Sequence, residues 1–317
     1  MTRPEPTAAP IKDFLSILDL PHGDFSRLLD LAAQVKADRH LGLQAPTAHV
    51  LRGRHVAMLF EKPSLRTRST FEIAVHELGG HTLDLPAQFA DGGREPLEDI
   101  ARNLERWIPA LVIRTYAHAK AKAFAAAAPR LHVINALSDQ EHPCQALADI
   151  LTVREHWGTC QGRTIAYVGD GNNVAASLAH AALPLGISLH VASPIGYQLP
   201  ARVVEDATDR ARDGADVRTF VDPLEAVAGV DAIYTDVWTS MGQEVEAAKR
   251  RRVFRAYQVN SALMAAAAPG ALFMHCLPAH RGEEVTAEVL ESPTSVVFDQ
   301  AENRLHTEKA LLVRLLS

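Results

Sequence analysis

The stretch Arg163-Thr-Ile-Ala-Tyr-Val-Gly-Asp-Gly-Asn-Asn-Val174 reads as a strand, a glycine-bearing turn and the start of a helix. Arg163 to Val168 is the strand, Gly169 to Asn173 the turn, and a helix then leads to a second strand at Ile187 to Ala192. Strand, turn and helix in this order suggest a dinucleotide-binding fold. The fingerprint, however, needs a small residue at its third conserved site, and Val174 stands there. The nicotinamide reading is therefore weak. Asn172 and Asn173 instead offer amides at a strand's carboxyl end, where open α/β sheets bind ligands.

The same alternation extends both ways along the chain. Upstream, strands are expected at His55 to Phe60, Thr82 to Leu85, Leu111 to Thr115 and Val133 to Leu137. Helices are expected at Leu65 to Leu78, ended by Gly79-Gly80, at Leu97 to Trp107, and from Pro143 to Trp157, stopped by Gly158. Asp24 is expected to cap a first helix carrying Phe25, Leu28, Leu29 and Ala32 on one stripe. Leu97, Ile100, Leu104 and Trp107 form the inner face of another. Downstream, a helix follows Pro200, and strands are expected at Val217 to Val221, Asp231 to Tyr234 and Ala271 to Cys276. The alanine runs 125–128 and 265–268 read as ordinary helix. This pattern predicts an α/β protein of two doubly wound parallel-sheet domains with a cleft between them. The division expected is 1–155 and 156–304. A last helix at about 305–316 could belong to either and is assigned back to the first.

The chain has 317 residues, 47% of them hydrophobic and 22% charged, enough for a sizeable core in two domains. Its 32 basic and 38 acidic residues leave a net charge of −6, which argues against nucleic acid or an anionic membrane as partner. Cys144, Cys160 and Cys276 are widely spaced, so neither a disulfide framework nor a zinc knuckle is indicated. The amino terminus has no apolar signal region, and no segment could span a bilayer. A cytoplasmic protein is expected.

Six segments carry candidate chemistry. In Glu61-Lys-Pro-Ser-Leu-Arg-Thr-Arg-Ser-Thr-Phe-Glu72, Ser64 stands where a helix begins. The free N–H groups and positive dipole there suit a phosphate or carboxylate. Ser64 and Thr67 add hydroxyls and Arg66 a fixed fork of donors; the plainer alternative is a capped helix with solvated arginines. Asp139-Gln-Glu-His-Pro-Cys-Gln-Ala-Leu-Ala-Asp-Ile150 sets His142 and Gln145 together at a helix start, with imidazole and amide suited to a carbonyl oxygen and an NH2. For an isolated histidine, simple capping is the favoured alternative. Gly169 to Val174 is the third segment. Tyr234-Thr-Asp-Val-Trp-Thr-Ser-Met-Gly-Gln-Glu244 ends a strand in a carboxylate before a glycine-bearing segment. Met274-His-Cys-Leu-Pro-Ala-His280 holds Cys276, whose commoner role at such a position is small apolar packing. Phe298-Asp-Gln-Ala-Glu-Asn-Arg304 offers Arg304 before the final helix. Cys276 with His280 invites a zinc site, but no second ligand pair is visible.

Ser-x-Arg-Thr-Arg, His-Pro-x-Gln, Asp-x-Trp-x-Ser-Met-Gly, His-Cys-Leu-Pro and Ala-Glu-Asn-Arg occur here in the order found in the aspartate/ornithine transcarbamylase family. Together they make the chain resemble that family over nearly its whole length. The Ser-Met-Gly and His-Cys-Leu-Pro segments resemble its ornithine rather than its aspartate branch. The resemblance implies transfer of a carbamoyl group from carbamoyl phosphate to the side-chain amine of ornithine, in arginine metabolism. By the same resemblance, carbamoyl phosphate would be bound by Ser64, Leu65, Arg66, Thr67, Gln88, Arg114, His142 and Gln145. Ornithine would be bound by Asn173, Asp236, Ser240, Met241, Cys276, Leu277 and Arg304, with Arg114, His142, Asp236 and Cys276 catalytic. Gln88 would reach into a neighbouring subunit's site, implying a homotrimer or a multiple of trimers. No cofactor or metal is implied, and no nucleic-acid or membrane partner.

Two segments depart from the family's usual form. Ser-Leu-Arg-Thr replaces Ser-Thr-Arg-Thr, which removes any role for the second side chain but keeps its backbone N–H. The residues after Gln88 also differ from the common form. A cis Leu277-Pro278 bond is expected where the chain turns sharply after a strand. Rival readings are a transcarbamylase for another amine such as putrescine or an N-acylornithine, a non-catalytic regulatory homologue, and a nicotinamide-dependent dehydrogenase.

Overall fold

The computed structural model describes residues 11–21, 23–239 and 244–317. The chain divides into two compact units. One ends at Ser138 and takes back Leu305–Ser317; the other is Asp139–Arg304.

The first unit runs α1 (Asp24–Ala37), β1 (His55–Phe60), α2 (Leu65–Glu77), β2 (His81–Leu85), α3 (Leu97–Trp107), β3 (Ala110–Arg114), α4 (His118–Ala127) and β4 (His132–Leu137). Its four strands lie in the order β2-β1-β3-β4, all parallel. The apolar runs of β1 and β3 are buried on both faces, as a parallel sheet covered by helices requires. Ile100, Ala101 and Leu104 of α3 pack with Leu111, Ile113 and Phe124 in one core.

The second unit runs α5 (Pro143–Trp157), β5 (Thr164–Val168), α6 (Asn173–Ala182), β6 (Ser188–Ala192), α7 (Ala201–Thr208), β7 (Val217–Phe220), α8 (Pro223–Val227) and β8 (Ala232–Thr235). Next come α9 (Ala247–Val253), α10 (Ser261–Ala266), β9 (Leu272–His275), α11 (Ala287–Leu290) and α12 (Val297–Leu316), whose residues from Leu305 onward belong to the first unit. Its five parallel strands take the order β7-β6-β5-β8-β9. The two doubly wound parallel sheets expected from the alternation are present. Among the described residues no helix is long and apolar enough to cross a membrane.

Three local expectations need correction. Asp24 does not cap α1: the cap position is Gly23, at φ 87°, and Asp24 is a buried first-turn acid paired with Arg27 and Arg314 at 3.1 Å each. Trp107 is 69% exposed, because α3 ends there; Ala101 takes its place on the buried face. The last helix begins at Val297, eight residues before the expected start near 305, so Arg304 lies inside it. The polar look of 298–304 hid that helix, whose Gln300, Asn303 and Arg304 are buried and hydrogen-bonded rather than solvated. By compactness alone the units part at Ser138, which groups α5 with Asp139–Arg304. The end of α12 is tied to the first unit by Lys309–Glu77 at 3.0 Å and Arg314–Asp24.

Gly171 explains the turn that suggested a dinucleotide. A Cβ there would stand 2.3 Å from the Leu199 nitrogen and 2.5 Å from the Gln198 carbonyl carbon, both backbone atoms that cannot rotate away. The glycine admits a neighbouring loop, whose Tyr197 carbonyl accepts its N–H at 2.8 Å. Gly171→Ala is therefore expected to cost about 1–3 kcal/mol of stability, the usual range for overpacking, read as a lower urea midpoint at unchanged slope.

Candidate functional site

In the first unit, the sheet order reverses between β1 and β3, and both strands carry candidate residues at their carboxyl ends. Beyond β1, Ser64 caps α2 from an extended conformation, its Oγ accepting the Thr67 N–H at 3.3 Å. The first-turn N–H groups of Leu65 and Arg66 lie ahead of the helical ladder, which starts too late to bond them. Thr67 is buried, Arg66 half-buried and the Leu65 side chain exposed, so the unusual leucine crowds nothing. Arg114, the last residue of β3, pairs in register with Phe60, the last of β1. Glu61 is held between the two strand ends: it accepts from the Thr115 hydroxyl, from the Tyr116 N–H at 3.0 Å and from Lys120 at 2.5 Å. Burial would pull the Lys120 ammonium's pKa down, but its pairs with Asp91 and Glu61 outweigh this and raise it. Gln88 sits exposed in a short 3-10 turn after the edge strand β2.

In the second unit the order reverses between β5 and β8. Asn172 caps α6, its Oδ1 accepting the N–H groups of Val174 and Ala175 and the Tyr167 hydroxyl. Its NH2 donates to Asp236 Oδ2 at 2.9 Å, from one strand end to the other. Asp236 Oδ1 accepts the Val237 N–H at 2.8 Å and the Cys276 thiol at 3.0 Å. Asp236 and Cys276, placed together by the resemblance, are thus in direct contact. Asn173, the expected ligand, is half-buried in the first turn of α6. Asp170 pairs with the buried Arg250, and burial pushes its carboxyl up to about 6.

His142 precedes Pro143, the first residue of α5, and its side chain makes no capping bond, so simple capping does not explain it. Its N–H donates to Ser177 Oγ at 2.9 Å, and that hydroxyl donates to Glu141 at 2.9 Å. Gln145 and Arg304 meet: an Arg304 Nη donates to Gln145 Oε1 at 2.8 Å. Leu277 stands at φ 58° before a cis Pro278, as the sharp turn after the strand led one to expect. A left-handed leucine costs on the order of 1–3 kcal/mol unless its surroundings hold it. The Leu277 N–H donates to His275 Nδ1 at 2.8 Å, and His275 Nε2 faces Glu284 at 3.3 Å, both residues fully buried. Asp236, His275 and Cys276 could offer three atoms to a metal, but both nitrogens of that ring already bond within the protein. Ser240 and Met241, both expected at the ornithine, lie outside the described residues.

Two family models cover the chain. The one described as the carbamoyl-P binding domain of aspartate/ornithine carbamoyltransferase matches residues 12–155, and the one described as its Asp/Orn binding domain matches 161–315. The chain belongs to the aspartate/ornithine carbamoyltransferase family. Among its relatives, the ornithine carbamoyltransferase of Acidothermus cellulolyticus is 52% identical over 309 residues, 96% of this chain and 97% of that one. That of Thermosynechococcus vestitus is 50% identical over 96% of each chain. The solved ornithine carbamoyltransferase of Pyrococcus furiosus superposes with a TM-score of 0.92 at 46% identity, covering 98% of both chains.

Inside this family framework, sequence reasoning passed over Asp149. It is fully buried and accepts from Gln145 at 2.8 Å, Gln300 at 2.8 Å and the Tyr234 hydroxyl at 3.0 Å. The signal was available: Asp149 follows Gln145 by one helical turn inside a segment already singled out. Burial pushes its carboxyl from the usual 3.8 up to about 6, against the pull of those donors and of Arg304. A raised carboxyl favours folding most below its unfolded pKa, and that contribution is lost as pH rises through about 6. The non-titrating Asp149→Asn should therefore gain on the wild type between pH 4 and pH 7, by on the order of 2 kcal/mol, in paired urea unfolding curves.

Proposed function

We propose that this chain transfers the carbamoyl group of carbamoyl phosphate to the side-chain amine of L-ornithine, giving L-citrulline and phosphate. The observation that carries the reading is the likeness to proteins named ornithine carbamoyltransferase, 52% identical across 96% of this chain. The paired Asp236 and Cys276 support it by offering a carboxylate and a thiol at the strand ends.

In this reading the phosphate is held by Ser64, the Leu65 N–H, Arg66 and Thr67, with Arg114 shared between phosphate and carbonyl oxygen. His142 polarises the carbonyl and Gln145 holds the carbamoyl NH2. Ornithine's α-ammonium goes to Asp236, and its α-carboxylate to Asn173 and the Met241 N–H, with Ser240, Cys276, Leu277 and Arg304 completing the set. An alkyl ammonium with a pKa near ~10.4 must first lose a proton to become a nucleophile. The neutral amine then forms the new C–N bond, negative charge gathers on the carbonyl oxygen facing Arg114 and His142, and the C–O bond to phosphate breaks while the new nitrogen gives up one proton, which leaves with the phosphate. The helix start and Arg66 receive the charge on the departing phosphate. The active form in this proposal is a trimer or multiple of trimers in the cytoplasm, with Gln88 serving a neighbour's site. Arginine metabolism is its setting.

Citrulline formation from the two substrates tests the assignment. Acylating the α-nitrogen removes the charge meant for Asp236, and putrescine lacks the α-carboxylate. Each unpaired polar group costs roughly 1–3 kcal/mol, so two such losses, added, should put kcat/KM for N-acetylornithine and putrescine about 30-fold or more below that for ornithine. Equality with either would move the specificity to that amine. Arg66→Ala should raise KM for carbamoyl phosphate about 10- to 150-fold and leave that for ornithine nearly unchanged in steady-state kinetics.

A further inference from the structure

We propose that Asp149 is a positioning residue for this reaction: its carboxylate fixes which way round the Gln145 carboxamide stands, so that Gln145 offers its oxygen to the carbamoyl NH2. The inference rests on the reading that Gln145 binds the carbamoyl group.

A glutamine amide has two ends of nearly equal size and opposite hydrogen-bonding sense, and its partners decide its orientation. Gln145 is 1% exposed, so no bulk water can serve either end at will. An ionised carboxylate only accepts, so Asp149 must face the NH2 of Gln145, as it does at 2.8 Å. A guanidinium only donates, so Arg304 must face Oε1, as it does at 2.8 Å. An acid on one side and a base on the other thus set a single orientation. An amide oxygen has two lone pairs, and Arg304 takes one through this bond. The second can accept from a substrate NH2, which is a donor and would be repelled by an amide turned the other way.

The same carboxylate reaches two further pieces of the site. Gln300 donates to it and accepts the His275 N–H at 2.9 Å, on the strand that leads into Cys276. Tyr234 donates to its other oxygen from β8, two residues before Asp236. The groups facing Asp149 are therefore Gln145 on its own helix, the Tyr234 phenol from β8, and Gln300 with the charged Arg304 from α12. Burial raises the Tyr234 phenol well above its usual range, so it stays a donor throughout the working pH range. Asp149, raised to about 6, is the group that changes charge there.

The test is steady-state kinetics of citrulline formation by the wild type and Asp149→Asn between pH 5 and pH 8. Asparagine is nearly isosteric, but it can turn its NH2 toward Gln145 and set it against Arg304. KM for carbamoyl phosphate should rise about tenfold at pH 8 in the variant, with kcat and KM for ornithine within about twofold. The variant-to-wild-type ratio should shrink toward one near pH 5, where wild-type Asp149 is itself protonated; titration of the substrate is common to both proteins and cancels. Tyr234→Phe removes one donor from the carboxylate without touching Gln145. It should move the acid limb of the wild-type KM profile to higher pH, and this decides the matter if Asp149→Asn fails to fold. Equal losses for both substrates, or a pH-independent ratio in a folded variant, would overturn the positioning role. Absence of citrulline from the wild type would overturn the function and this inference together.

Discussion

Among the described residues every strand pair is parallel, and a parallel strand can follow its neighbour only through a crossover, here usually a helix, that returns the chain to the same end of the sheet. All the strands' carboxyl ends in a unit therefore point the same way, and the loops leaving them gather at one edge. Where the winding reverses, between β1 and β3 and again between β5 and β8, two neighbouring strands send their chains in opposite directions and leave a gap. Ser64 and Arg114 belong to the first reversal, Asn172 and Asp236 to the second. The placement of the candidate chemistry depends on that constraint more than on any single contact.

A second constraint follows from burial. The strand ends of Asp139–Arg304 carry more polar groups than water can reach, and each buried donor or acceptor must find a partner inside the protein. Asn172 serves Tyr167, the α6 amides and Asp236, while Asp149 serves two glutamines and a tyrosine. His275 does the same for Leu277 and Glu284. These arrangements cost desolvation, visible in the raised carboxyls of Asp149 and Asp170, and in return leave few alternative orientations. Sites of this kind are rigid because their polar groups have nowhere else to turn.

Much of this was legible beforehand, and the exceptions share a cause. The helix 97–107 and the helix from Pro143 to Trp157 were readable to the residue, because local signals ended them: Pro96 and Pro143 at the starts, Gly158 at one stop. The cap at Ser64 and the turn at Leu277-Pro278 were equally local. By contrast, residues 298–304 read as a segment before the final helix, and the partners that Gln300 and Asn303 find inside it, Asp149, Thr152 and Glu155, lie far away in the chain. Asp24 looks like a cap until Arg314, at the far end of the chain, is beside it. Gly171 looks like a phosphate-binding glycine until the backbone of Gln198 and Leu199 fills the space where a Cβ would be.

The sequence by itself determined the class of fold, through the alternation of short apolar runs with helical stripes, and it determined which residue types stand at strand ends and helix starts. These are properties of neighbours along the chain, governed by backbone sterics and local hydrogen bonding. Strand order was not among them. Only the tertiary structure decided that β8 lies beside β5, that Cys276 meets Asp236, and that Asp149 stands between Gln145, Gln300 and Tyr234. Those pairings join residues up to 151 positions apart in the chain. They arise from burying a whole sheet at once, a cooperative requirement that no local stretch of sequence carries.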